Sequence, residues 1–317
     1  MMDATSTEPP ISAVEATGYL HQSYAESLAE YGEPHKLPGS GGWVLRRRIP
    51  GSDYDDSMGC YPLFSCRDWS GLRDDIEDLA GELVSLALVT DPFGDYDVPY
   101  LRQCFEDVVI PFKEHFVADL NLPPDTFIHP HHRRYARKAL GEVSVERCIS
   151  PSSFLDDWIA MYGTLTERHA INGLVRFSRE SFAKQLSVPG MVAFRVLYDE
   201  ATVGMALWYR QGDVAYYHLG AYSTRGYELR ASFALFSRAI EYFAQSGLRW
   251  LNLGGGAGAG ATATSGLSRF KQGWSNCTRT AYFCGRIFDR KKYAEIVEAT
   301  GTPATNYFPA YRLGEFQ

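Results

Sequence analysis

The chain has 317 residues, a formal net charge of −7 and a hydrophobic share of 45%, which is enough apolar material to bury a sizeable core. The negative charge argues against non-specific binding to nucleic acid, DNA included, although it leaves room for a local basic patch. No apolar run approaches the roughly 20 residues of a membrane-spanning helix. The first residues also lack the basic start and apolar run of a signal peptide, so a cytoplasmic protein is expected.

The six cysteines are scattered along the chain and none forms a Cys-x-x-Cys pair. This spacing predicts reduced, packed thiols rather than disulfides or a zinc site. The cluster His129, His131 and His132 lacks cysteine or acidic partners at ligand spacing, and we expect surface contacts there rather than a bound metal.

The first half of the chain predicts a small α/β unit. Residues 1–15 are polar and contain prolines, which indicates disorder. Hydrophobic periodicity then predicts helices and strands in alternation. These are a strand at 43–49, an amphipathic helix between Trp69 and Leu83, a strand at 85–90, a second helix between Leu101 and Phe116, a strand at 126–129 and a basic helix or turn at 130–140.

The second half predicts an antiparallel meander and then a helix-strand unit. The meander strands lie at 192–198, 203–209 and 214–222, with turn residues between them. Before them come a strand at 143–148 and a helix at 151–170. After them come a helix at 227–245 with Gly247 as its stop, a strand at 249–253, a glycine-rich loop, a strand at 280–287 and a helix at 291–299. This order predicts an α/β (α+β) fold with a mixed sheet flanked by helices.

Four segments of the second half are the most specific: Tyr217-His218-Leu219-Gly220-Ala221-Tyr222, the long predicted helix after Arg225-Gly226-Tyr227, Leu253-Gly254-Gly255, and Gly266-Leu267 followed by Phe270-Lys271. Their order and spacing resemble the GNAT acyltransferase fold as found in Fem-type (FemABX-like) peptidyltransferases and their acetyltransferase-like relatives. The resemblance runs from about Val143 to Ile287. It implies two GNAT-like units in tandem, a degenerate one at residues 16–142 and an acyltransferase unit at 143–317.

The resemblance also implies a site. The Phe-Lys pair of the family's second unit corresponds to Phe270 and Lys271, so Lys271 is expected to stabilise charge on the attacked carbonyl or to bind a substrate phosphate. His218 and Tyr222 lie in alternate register on one predicted strand and would flank one side of it. They are candidates for accepting the amine proton and for donating one to the leaving group. Structural roles on a half-buried strand remain the alternative for both.

Arg225, Glu228 and Arg230 come at the predicted start of the long helix, where the helix dipole favours an anion such as a donor phosphate. A capping role is equally suited to Glu228. Only Gly226 stands where CoA-using GNAT enzymes carry an Arg/Gln-x-x-Gly-x-Gly/Ala loop, so the CoA signature is incomplete. The segment Gly254–Gly260 lacks the third glycine of a dinucleotide site and the Lys of a P-loop, and it predicts a mobile lid.

The predicted function is that of an N-acyltransferase. It would move an acetyl, acyl or aminoacyl group from acyl-CoA or aminoacyl-tRNA to an amine of an amino sugar, cell-envelope precursor or natural product. A tRNA donor needs a basic surface, for which Arg133, Arg134, Arg137 and Lys138 are candidates. The alternative is a non-catalytic module of the same fold that binds a nucleotide-sugar or glycan.

Overall fold

A single mixed sheet of eleven strands runs through the computed structural model, which describes residues 16–169, 176–256 and 265–315. The strands are β1 (Glu33–Lys36), β2 (Trp43–Arg48), β3 (Asp55–Gly59), β4 (Ser85–Val89), β5 (Val108–Asp119), β6 (Ser144–Cys148), β7 (Met191–Tyr198), β8 (Ala201–Gln211), β9 (Val214–Tyr222), β10 (Trp250–Asn252) and β11 (Cys277–Ile287). Across the sheet their order is β1-β2-β3-β4-β11-β5-β10-β9-β8-β7-β6.

The same pattern of strand pairing occurs on both sides of the central antiparallel pair of β5 and β11. On one side β4 pairs antiparallel with β11 and parallel with β3, and on the other β10 pairs antiparallel with β5 and parallel with β9. The halves therefore exchange one strand each: β11 of the second half pairs with β4 of the first half, and β5 of the first half pairs with β10 of the second half. The predicted mixed sheet flanked by helices is confirmed. The tandem arrangement of two GNAT-like units, divided at residues 142/143, stays a prediction that this order supports.

Helices cover both faces of the sheet. They are α1 (Gln22–Ser27), α2 (Leu72–Asp78), α3 (Val98–Cys104), α4 (Pro124–Phe127), α5 (Pro130–Leu140), α6 (Leu155–His169), α7 (Arg179–Gln185), α8 (Thr224–Glu228), α9 (Ala231–Gln245), α10 (Gly266–Gln272) and α11 (Arg290–Ala299). Helix α9 buries Leu235, Phe236 and Phe243 against one face of β7, β8 and β9, while α6 buries Trp158 on the opposite face. The long apolar stripe predicted for residues 227–245 thus forms one of the main cores.

Two predicted elements of the first half are wrong. The helix predicted between Leu101 and Phe116 ends at Cys104, and residues 108–119 form the central strand β5. A β-branched run at 108–110 followed by Pro111, which has no N–H, disfavours a helix there. The strand predicted at 126–129 is the end of the short helix α4 and the two residues that link it to α5. Prolines at the first helical positions of α4 and α5 explain this change.

The turns of the second half follow the prediction, but its long helix is broken. Asp199 and Glu200 both have positive φ, 47° and 64°, as a two-residue type I′ hairpin requires. The predicted helix at 227–245 is instead α8 and α9, separated where Arg230 takes the left-handed conformation with φ 56°. The predicted disorder of residues 1–15 concerns a segment outside the described residues.

A buried charge cluster holds the last described residues on the first half of the sheet. The fully buried Asp56 on β3 accepts a hydrogen bond from Arg312 Nη2 at 2.9 Å and forms an ion pair with Arg47 Nε at 3.3 Å. The hydroxyl of Tyr311 also donates to Asp56, at 3.1 Å. A buried carboxylate needs these partners because burial without them is costly.

Replacing Arg312 with alanine is expected to destabilise the protein by about 3 kcal/mol, because it removes one partner of a buried carboxylate. Urea denaturation measures this loss. The matched control is Arg48→Ala, since the Arg48 side chain is 61% exposed and its surface ion pair is worth roughly 1 kcal/mol or less. Equal losses in the two variants would contradict the role given to the cluster.

Candidate active site

The strands β9 and β10 separate after only three paired residues. Trp250–Asn252 pair in parallel with Val214–Tyr216, and no described residue continues this edge of β9. The chain after β10 follows β5 instead, because Leu253 N donates to Phe116 O at 2.9 Å and Phe116 N donates to Gly254 O at 3.2 Å. We call the opening between Tyr217 and Leu253 the β9–β10 wedge. Its strand edges carry backbone groups that a ligand can reach.

Lys271 places its amine at this wedge. It lies on α10, whose first turn is capped by Ser265 accepting from Ser268 N at 3.1 Å. Lys271 is only 6% exposed, and its Nζ donates to Gly255 O at 2.6 Å and lies 5.6 Å from the ring centre of Tyr217. Burial lowers the pKa of Lys271 to about 7, and the charge of Lys113 lowers it further. No carboxylate in the described part of the chain pairs with this amine.

A histidine of β5 lies on the other side of the turn that follows β10. His115 is 6% exposed, and its Nδ1 lies 3.0 Å from Asn252 Oδ1. The same amide atom accepts the N–H of Gly254 at 2.9 Å, which identifies it as the oxygen. His115 Nδ1 therefore carries the hydrogen. Burial, with smaller contributions from the charges of Lys271 and Lys113, lowers the pKa of His115 to about 4, so the ring is neutral at pH 7.

Residues 131–272, which include the wedge and α10, match the family model described as an acetyltransferase (GNAT) domain. Residues 131–272 are thus a GNAT-type acetyltransferase domain. The match ends at Gln272, the last residue of α10, and so includes Phe270 and Lys271. No curated protein sequence matches this chain.

Solved structures extend the likeness to nearly the whole chain. The crystal structure of FemX is similar with a TM-score of 0.65 and 14% identity, covering 87% of this chain and 93% of that one. The C-terminal domain of a putative lysylphosphatidylglycerol synthetase from Agrobacterium fabrum has a TM-score of 0.60 and 13% identity, covering 90% and 92%. At these identities the likeness shows the fold, which is that of the Fem-type branch. Within the described residues no helix is long and apolar enough to cross a bilayer.

One member of the histidine cluster, His132, holds α10 in place. His132 is buried, and its Nε2 donates to Phe270 O at 3.0 Å, while Phe270 packs on Phe233 and Phe236. The fit is close enough that a Cβ at Gly273 would lie 2.2 Å from the His132 ring. The surface contact predicted for His132 is therefore wrong. His129 instead caps α5, and no group of three His, Cys, Asp or Glu side chains in the described ranges could hold a metal ion.

His218 and Tyr222 do not share a side of β9, contrary to the prediction. The pairing of β8 with β9 shifts register between Leu207 and Trp208, which places His218 in a β-bulge. An extra residue reverses the alternation of side chains along a strand. Tyr222 consequently packs in the core beneath α9, and His218 faces the opposite core.

Both ring nitrogens of His218 are used by the core. Its Nε2 donates to Gln185 Oε1 at 3.1 Å, and the hydroxyl of Tyr19 donates to its Nδ1 at 3.1 Å. Burial lowers the pKa of His218 to about 3. The hydroxyl of Tyr222 is buried without a partner in the described residues, and its ring packs in the core beneath α9. Among the described residues, Lys271 contacts Gly255 and Tyr217, and neither His218 nor Tyr222 contacts it.

The three charged candidates lie beyond the far end of β9. Arg225 and Glu228 are exposed and pair with each other on α8 at 2.9 Å, while Arg230 stacks 3.9 Å from the ring centre of Tyr135. Ser223, not Glu228, caps α8 by accepting from Gly226 N at 3.1 Å. A Cβ at Gly226 would lie 2.0 Å from Val203 O, so this glycine serves the packing of α8 on β8.

The predicted lid, Gly254–Gly260, falls largely on residues 257–264, which lie outside the described residues. Sequence reasoning missed His115 because its segment was interpreted as a helix. The one available signal was Asn252, a residue type that favours turns, placed between an apolar strand and a pair of glycines.

Replacing His132 with alanine is expected to loosen α10, because it removes a hydrogen bond and ring contacts beneath Phe270. Lys271 should then react several-fold faster with acetic anhydride, as measured by peptide mass spectrometry. Lys291, whose side chain is 88% exposed, serves as the internal reference, and His131→Ala on the exposed side of α5 is the control variant. Unchanged labelling of Lys271 would show that His132 does not hold it in place.

Proposed function

We propose that this protein is an N-acyltransferase that moves an acetyl or other acyl group from acyl-CoA to an amine. One observation carries the proposal: the buried amine of Lys271 lies at the β9–β10 wedge without a negatively charged partner. A carbonyl that is attacked by an amine gains negative charge on its oxygen, and that oxygen would supply the missing partner.

Lys271 is proposed to stabilise this oxyanion. Burial lowers its pKa to about 7, so an appreciable fraction of the free protein carries a neutral amine at neutral pH. A developing oxyanion raises that pKa because it favours the charged ammonium form. The attraction is stronger in a buried site than in water, since less solvent screens it. The interaction is thus largest in the transition state, where it accelerates the reaction.

Tyr217 is proposed to donate a hydrogen bond and a proton to the leaving atom. It stands beside Lys271 on the α9 side of the wedge, and no described residue hydrogen-bonds its hydroxyl. A Cβ at Gly220 would lie 2.2 Å from Tyr217 Oη, so the glycine leaves room for this hydroxyl. Tyr217 thus takes the role of proton donor to the leaving group that was predicted for Tyr222. The unpartnered hydroxyl of Tyr222 is proposed to bind the donor further along β9.

The choice of acyl-CoA as donor is supported by the free edge of β9 beyond Tyr216. Its backbone groups can pair with the amides of a pantetheine arm, as a further strand would. Arg225 and Arg230, near the end of this edge, are proposed to meet the donor phosphates as point charges in place of the incomplete glycine loop. Phe270 is proposed to support the acyl end through its place beside Lys271.

Acyl-CoA binding is expected to raise the melting temperature by several degrees, because a ligand at 100 times its Kd stabilises the native state by about 2.7 kcal/mol. The measurement compares acetyl-CoA, longer acyl-CoAs, free CoA and pantetheine in thermal unfolding. The double variant Arg225→Ala/Arg230→Ala should reduce the shift with CoA and leave the shift with pantetheine unchanged.

No shift with any of these compounds would overturn acyl-CoA as the donor, and the same assay with aminoacyl-tRNA would then test the aminoacyl alternative. A shift without thiol release, over a panel of amines that includes amino sugars, would instead indicate a non-catalytic binding module.

Replacing Lys271 with methionine, which keeps the length and removes the charge, is expected to lower kcat for thiol release by about 10²–10³, the usual effect of losing one oxyanion partner. The rate of CoA release is followed with a thiol reagent. Lys291→Met, at an exposed position of α11, is the matched control and should retain the full rate.

The pH dependence provides a second check on Lys271. Raising the pH through about 7 deprotonates the amine, so kcat/KM, which reports groups of the free enzyme, should fall above that value. Lys113→Met should move this falling limb to higher pH, because the charge of Lys113 is one cause of the lowered pKa. If the falling limb of the pH profile keeps its position in both Lys113→Met and Lys271→Met, Lys271 is not the titrating group.

A further inference from the structure

His115 presents a free ring nitrogen beside the wedge, on the face opposite Tyr217. Its neighbour Phe116 packs in the core beneath α9, as does Leu251 of β10, so His115 and Asn252 point to the other face of the sheet. No described residue hydrogen-bonds Nε2 of His115, and the residue is 6% exposed. This nitrogen is therefore available to a group bound in the wedge.

The orientation and tautomer of His115 are set by the same turn that forms the wedge. Gly254 N donates to Asn252 Oδ1, and the same oxygen accepts the hydrogen of His115 Nδ1. Because Nδ1 carries the hydrogen, the lone pair of the neutral ring is on Nε2. The other two buried histidines that the sequence singled out differ from it. His218 uses both nitrogens. His132 donates from Nε2 to Phe270 O, and its Nδ1 is unpartnered in the described residues but fully buried, so a substrate amine does not reach it.

We propose that His115 Nε2 is the group that accepts the proton of the acceptor amine. The inference rests on the proposed acyl transfer and adds a catalytic residue from the first half of the chain to the lysine of the second half. Asn252 is then a positioning residue, which acts by holding the hydrogen on Nδ1.

In the proposed reaction every transferred proton has a named donor and acceptor. The neutral amine attacks the thioester carbon, a C–N bond forms, and the carbonyl oxygen becomes an oxyanion beside the ammonium of Lys271. The nitrogen, now positively charged, gives a proton to His115 Nε2, which becomes an imidazolium. The C–S bond then breaks, the sulfur keeps the electron pair and takes a proton from Tyr217, and the amide is complete. The imidazolium returns its proton to solvent and the tyrosinate regains one.

The charges around His115 favour proton transfer to its ring once the oxyanion has formed. Three basic groups face it: Lys271, Lys113 and Arg279, which lies directly opposite on β11. In the free protein the charges of the two lysines help keep the pKa of His115 well below its usual value. An oxyanion formed beside Lys271 offsets that charge, so the basicity of His115 rises as the C–N bond forms.

The kinetic test compares two acceptors with acetyl-CoA as donor. With ethylamine, His115→Ala should lower the rate of thiol release by 10²–10⁴, the usual contribution of a general base. With hydroxylamine, whose adduct nitrogen loses its proton readily to water, the same variant should lose less than about tenfold. His35→Ala, on the edge strand β1, is the control. An equal loss with both acceptors, or no loss with either, would overturn the proposal.

A second measurement needs no substrate. Nitrogen-15 NMR of the His115 ring in the full chain at pH 7 should report a hydrogen on Nδ1 and a lone pair on Nε2. A hydrogen on Nε2 would overturn the proposal, since that atom could then accept no proton. Asn252→Leu should convert the single tautomer into a mixture, whereas Asn252→Asp should retain it. If wild-type protein releases no thiol from any acyl-CoA, the proposed function fails, and the ring tautomer still decides whether His115 can accept a proton.

Discussion

The departure of β10 from β9 is the constraint on which the rest of the site depends. After Asn252 the chain keeps its hydrogen bonds to β5 and gives up those to β9, so the sheet opens without losing continuity. Gly254 takes a positive φ of 72° at this point, a conformation that side chains other than glycine's disfavour. The same turn supplies the carbonyl that holds Lys271 and the N–H that orients Asn252. One local change of strand partner therefore produces the opening and positions the groups on both sides of it.

The electrostatics of the opening are unbalanced in the free protein. Lys271 and Lys113 lower the pKa of His115, burial lowers the pKa of all three, and no carboxylate of the described residues pairs with either lysine. Burying cationic groups without counter-charges reduces folding stability. Such an arrangement is typical of a site that completes its charge balance with a ligand or a transition state. The buried Asp56 cluster at the other end of the sheet is the contrasting case, because there each charge meets its partner within the fold.

The site combines both halves of the chain because the sheet exchanges strands between them. β5, which carries Lys113 and His115, precedes residue 142 in sequence but pairs with β10 of the second half. Helix α10, which carries Lys271, is in turn held by His132 at the start of α5. A chain of hydrogen bonds and ring contacts thus links the helix with the lysine to the segment that joins the two halves.

Local patterns predicted those parts of the protein whose structure depends on near neighbours. The meander at 191–222, its turn at Asp199-Glu200 and the apolar stripe of α9 follow from alternation, turn chemistry and helical periodicity. The resemblance of Phe270-Lys271 to the family's motif singled out the lysine. The sequence left undecided the partners of β5, the bulge at His218 and the contact between Asn252 and His115. Each of these depends on pairing between segments far apart in the chain, and such pairing overrides local propensity and reverses which face a side chain occupies.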